Sequence, residues 1–94
     1  MSDLIEIIPP SPQAKYIFVL PTTHHTLLAE EILQSLNVHY LPVPKPHKAV
    51  SDCGMAIQIE ACDLAHACEA LKSENLSVRV FVKKDTGEIQ PFKG

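Results

Sequence analysis

The chain has 94 residues, a formal charge of −3, 46% hydrophobic and 20% charged residues, a balance that makes one small soluble globular domain and excludes general disorder. No apolar run approaches the roughly 18 residues of a membrane span, and an acidic balance with 5% aromatics and no Trp argues against a nucleic-acid binder. Three cysteines, Cys53, Cys62 and Cys68, are an odd and widely spaced set, which fits a reducing cytoplasm better than a disulfide scaffold.

In chain order, residues 1–14 read as an N-terminal arm. A short apolar stretch there is followed by Pro9, Pro10 and Pro12, which deny a helix. Asp3 and Glu6 stand where a signal peptide would carry basic residues, so export is not expected. The body spans residues 15–84. Tyr16 to Leu20 is apolar on both alternations and predicts a buried central strand. Pro21 ends it, and Thr22 or Thr23 is placed to cap a helix. Along that helix Leu28, Ala29, Ile32, Leu33 and Leu36 form one apolar stripe.

A second strand is expected over 38–43, ended by Pro42, Pro44 and Pro46. Residues 55–59 alternate as a third strand. A second helix follows from near Cys62 to Glu74, with Leu64, Cys68 and Leu71 inward. Residues 77–83 make the fourth strand, with Val78, Val80 and Val82 on one side and Phe81 on the other. Asp85-Thr86-Gly87 is a turn signal, and residues 85–94 form a C-terminal arm that returns as a short hairpin over 88–92.

The order βαββαβ predicts an α+β, ferredoxin-like sandwich, with two helices on one face of a four-stranded antiparallel sheet. Its second face carries Phe81, Ala56 and one alternation of the first strand. That face is covered either by the terminal arms or by a second copy in a homodimer.

This topology makes the first two strands parallel, so their C-terminal ends share an edge. The turn Pro21-Thr22-Thr23-His24-His25 should then neighbour the loop over 44–54, which ends in Cys53-Gly54. Unpaired N–H groups at the helix start, with His24, His25, Lys45, His47 and Lys48 nearby, are surroundings that lower a thiol pKa; Asp52 opposes them. Gly54 gives the backbone freedom and lets a partner approach. Against this stands the ordinary fate of a free cysteine, a small buried hydrophobe. Cys68 shares the helix stripe and reads as core. Cys62 lies at the far end of the sheet, a partly exposed secondary thiol at most.

A three-ligand metal site of Cys53, His47 and His24 has no fixed ligand spacing behind it and is not expected. No cofactor is expected either, since the glycines are scattered and form no phosphate loop.

Two stretches resemble a known family. Tyr16 through Pro21-Thr22-Thr23-His24 to Glu30, and Pro44-Lys45-Pro46 through Ser51 to Cys53-Gly54, resemble the selenium/sulfur carrier-like family over about residues 15–84. One departure is His47, where the family pattern suggests an arginine; a fixed charge is thereby replaced by a titrating one. Val50 likewise stands where serine is common. The resemblance implies a cytoplasmic carrier or accessory protein more than a stand-alone enzyme. Cys53 would be the exposed, reactive thiol, and Thr22, Thr23, His24, His47 and Gly54 its binding surroundings. A donor such as a cysteine desulfurase, and an acceptor enzyme, would be its partners.

Two alternatives from other classes remain open. One is a dimeric regulatory module that binds a small anion at the Thr22/Thr23 helix start. The other is a redox switch that joins two subunits through Cys53.

Overall fold

The structure is a computed structural model and describes residues 14–47, 49, 51, 53–84 and 86–92. The N-terminal arm, apart from Ala14, and the residues Lys48, Val50, Asp52 and Asp85 lie outside the described residues. The elements run β1 (Lys15–Val19), α1 (Thr23–Ser35), β2 (Tyr40–Pro44), β3 (Met55–Glu60), a 3-10 turn (Ala61–Asp63), α2 (Leu64–Ser73), β4 (Arg79–Lys83) and β5 (Ile89–Pro91).

The sheet has five antiparallel strands in the order β2-β3-β1-β4-β5. The expected four-stranded sheet is therefore corrected to five. After β4 the chain turns through Gly87 (φ +93°), a left-handed conformation that favours glycine. Lys84 N–H then bonds to Glu88 C=O at 2.8 Å, and residues 89–91 pair with β4. Phe92 completes the return, its ring edge-on to Tyr16 with centroids 4.9 Å apart.

Register separates the sheet into two faces. Tyr16 lies opposite Ile59 and Val82, and Phe18 opposite Ile57 and Val80. These residues pack with Ala29 and Leu33 of α1 and with Ala67 and Leu71 of α2, so both helices cover the same face. On the other alternation Ile17, Val19, Ala56 and Phe81 form a second cluster with Ala49, from the β2–β3 loop, and flanking Val43 and Ile89. Ile17 is 3% exposed and Phe81 4%. Val19, Ala49 and Ala56 of this cluster are likewise buried within one chain.

The second strand departs from expectation. It runs through Pro42 and ends at Pro44. Proline cannot donate to a ladder, and β2 tolerates it because it is an edge strand paired with β3 alone. Val38 serves instead to close α1. Asn37 takes a left-handed conformation (φ 59°), and Val38 N–H returns to Leu33 C=O at 3.0 Å. The same closure ends α2, with Asn75 at φ 61° and Leu76 N–H bonded to Leu71 C=O at 3.1 Å. No described helix is long and apolar enough to cross a membrane.

Candidate functional site

The site is built where β1 feeds α1. Thr22 is the N-cap, extended at φ −138° and ψ 164°, and its Oγ1 accepts the His25 N–H at 3.1 Å. One turn on, Thr26 is a hydroxyl on the buried stripe, 4% exposed between Thr22 and Ala29. Its Oγ1 donates to the Thr22 carbonyl at 2.9 Å, and that carbonyl also accepts the Thr26 N–H at 3.0 Å.

The loop after β2 brings Cys53 to this turn. Lys45 N–H bonds to Gly54 C=O at 3.0 Å and closes the loop at its base. Ser51 Oγ donates to the Leu20 carbonyl, at the end of β1. The proximity expected between the helix entry and the long loop is present: Thr23 and Thr26 both act on the Cys53 thiol. Cys53 is only 3% exposed, however, which corrects the expectation of an exposed cysteine. Ser51 draws the neighbouring backbone inward, with the Cys53 N–H donating to Ser51 Oγ at 3.0 Å.

Burial pushes the Cys53 thiol up. The Thr26 hydroxyl, the Met55 backbone N–H and the Thr23 hydroxyl outweigh it, so the thiol is held below its ordinary value despite the nearby Glu30 carboxylate. Hydroxyls and an amide do this work, and the charged group among those acting on the thiol is the anion Glu30. His24 and His47 are exposed. His25 is half-buried, and its Nδ1 has no partner among the described residues.

Thr26 has one hydroxyl proton and two acceptors within its surroundings, the Thr22 carbonyl and the sulfur. The structure gives that proton to the Thr22 carbonyl, so a bond to sulfur competes for it, while the carbonyl keeps the Thr26 N–H in either case. Thr26, Ser51 and Met55 are the groups the sequence reading missed as parts of the site. The legible signal for Thr26 was a hydroxyl at stripe spacing from Ala29 and Leu33. Nothing in the sequence marked Met55, whose contribution is a backbone amide.

Gly54 is not in the left-handed region, and a Cβ built there meets nothing within 4 Å. The fold of one chain therefore does not demand glycine at this position. Cys62 is exposed, in the 3-10 turn at the far end of β3. A six-residue strand spans about 20 Å, so Cys62 is out of reach of Cys53 within the chain. Cys68 packs against the helix-side core, half-buried; burial raises its thiol and Lys72 opposes that. Among the described residues no group of three His, Cys, Asp or Glu side chains gathers as a metal cluster.

Residues 15–83 match the family model described as putative Se/S carrier protein-like. The chain belongs to this family. The carrier-family span contains β1 through β4, with the Thr22–Glu30 and Pro44–Gly54 stretches inside it and β5 outside. No curated protein and no solved structure gives a significant match.

Proposed function

We propose that the chain carries a sulfane sulfur or selenium atom on Cys53 and hands it to an acceptor protein. Family membership supports the carrier class. The observation that carries the choice of residue is the set of donors around Cys53, which favours a thiolate in a buried setting.

Transfer in is a thiol exchange that needs no added oxidant. The Cys53 thiolate attacks the outer sulfur of a donor persulfide; the new S–S bond forms at Cys53 as the donor's own S–S bond breaks and its thiolate leaves. A donor selenopersulfide reacts in the same way at selenium. The terminal chalcogen then carries the negative charge, and the Thr23 and Thr26 hydroxyls and the Met55 N–H are donors suited to it. Transfer out is the same exchange with the acceptor's nucleophile, which regenerates the Cys53 thiolate.

A cysteine desulfurase fits the donor class. Nothing lies within 4 Å of a Cβ built on Gly54, which leaves room for such a partner next to Cys53, and Thr22, His24 and His47 form the margin of the contact in this reading. A cytoplasmic location accords with a chemistry that requires a reduced thiol. The ferredoxin-like reading of the fold belongs to the same proposal, supported by the order β2-β3-β1-β4 within the sheet and by both helices on one face.

The test is mass spectrometry of the chain after incubation with a desulfurase and free cysteine. A gain of one sulfur on the Cys53 peptide, lost in Cys53→Ala, is expected. No gain, or a gain that survives Cys53→Ala, sinks the proposal. Anion binding that is intact in Cys53→Ser and abolished in Thr23→Val would favour the regulatory-module reading instead.

A further inference from the structure

Among the described residues, one side-chain hydroxyl ties the Cys53 loop to the end of the strand that leads into α1. Ser51 Oγ donates to the Leu20 carbonyl and accepts the Cys53 amide N–H at 3.0 Å. It thus joins backbone groups of two segments far apart in sequence. Apart from the hydroxyls that act on the thiol, the other bonds among the described loop residues stay within the loop: Lys45 N–H to Gly54 C=O at 3.0 Å, Ala49 N–H to Pro46 C=O at 3.1 Å, and Lys45 Nζ to Ser51 C=O at 3.4 Å. Leu20 is followed by Pro21 and the cap residue Thr22, so the carbonyl that Ser51 holds lies just before the turn bearing Thr23 and Thr26.

We propose that Ser51 is a positioning residue for the Cys53 site: its hydroxyl pins the Cys53 amide to the end of β1 and thereby holds the sulfur against the hydroxyls of the first turn of α1. The inference rests on the reading of Cys53 as the reactive thiol, and not on the identity of its cargo. A hydroxyl is needed because both of its capacities are used, one as donor and one as acceptor. Alanine at this position removes both and leaves two backbone groups unpaired. Threonine keeps both. Glu30 of α1, the charged group that acts on the thiol, and Lys45, whose Nζ donates to the Ser51 carbonyl, are untouched by either substitution.

The pH dependence of alkylation by iodoacetamide tests this, followed peptide by peptide, with Cys62 and Cys68 as references in the same chain. The thiolate sulfur bonds to the reagent's methylene carbon as iodide leaves, so the profile reports thiolate population and access together. In Ser51→Ala the Cys53 midpoint is expected to move up toward that of an ordinary thiol. Its limiting rate at high pH should rise several-fold, because a released loop loses the hydroxyl donors and uncovers the sulfur. Cys68 should keep its wild-type rate, and Ser51→Thr should restore the Cys53 profile. A Ser51→Ala profile at Cys53 that overlays the wild type overturns the proposal. So does a shift that Ser51→Thr fails to reverse, or a joint rise at Cys53 and Cys68, which would make Ser51 a requirement of the whole fold. The measurement contains no sulfur donor, so its outcome is separate from that of the mass-gain test for carriage.

Discussion

Cys53 and Cys68 sit in two regions that move their thiols in opposite directions. Cys68, half-buried beside the helix-side core, has its thiol pushed up by burial, with Lys72 opposing. Cys53, which exposes little surface, has its thiol held down. Burial disfavours the thiolate in both places. The difference is that one sulfur lies among apolar side chains and the other meets two hydroxyls and an amide N–H. Loss of water alone therefore does not make a thiol inert; what matters is whether donors replace the water.

The largest expected effect abolishes the contrast outright. Phe18→Ala empties a side chain at 0% exposure in the core, a loss of about 3–5 kcal/mol. It should lower the denaturation midpoint and make all three cysteines react alike, as peptide-resolved alkylation would show. Thr26→Val comes next. It removes the hydroxyl that does most to hold the Cys53 thiol down and should slow Cys53 alkylation at neutral pH a few-fold. Cys68 should not respond. An unchanged Cys53 rate would show that Met55 and Thr23 suffice.

Loss of the N-cap in Thr22→Ala should cost about 1 kcal/mol of stability, readable as a lower thermal midpoint. It should slow Cys53 less than Thr26→Val does. The pH dependence of stability should also differ in sign between the two thiols. The Cys53 thiol is lowered on folding, so its contribution is present above the unfolded thiol range and is lost as pH falls through its folded value. The Cys68 thiol is raised, so its contribution is present at low pH and is lost as pH rises through its folded value. Denaturant midpoints on the alkaline side should thus fall more steeply in Cys53→Ser than in wild type, and less steeply in Cys68→Ala. The smallest effect is at Lys72→Met, which removes the charge opposing burial at Cys68 and should slow Cys68 alkylation slightly without touching Cys53.

Much of the fold was legible because apolar side chains recur at the periods of the elements that bury them. The alternation in 55–59 and in 78–82 marks which residues face the helices, and register places them opposite Tyr16 and Phe18 as expected. The strand around Pro42 was misread, because local sequence does not show whether a proline faces a partner strand or an open edge. The fifth strand was anticipated only as an arm. Three residues carry little periodic signal, and their pairing depends on the Gly87 turn. At the site, Cys53, Thr22 and Thr23 stood out by residue type and by the turn they occupy. Cationic side chains were expected to lower the thiol; hydroxyls and an amide do so instead, since short-range donors at the sulfur outweigh charges that stay in water.

The amino-acid sequence by itself determined the βαββαβ order, the apolar stripes and the juxtaposition of the helix-one entry with the Cys53 loop, because periodicity and chain direction are local properties. The odd cysteine count marked a free thiol without saying what governs it. Only the tertiary structure decided that Cys53 is buried, that Thr26 and the Met55 amide reach it, and that Ser51 bridges its loop to β1. Those facts turn on hydrogen bonds between segments remote in sequence, and their short range leaves no trace in the pattern of any one segment.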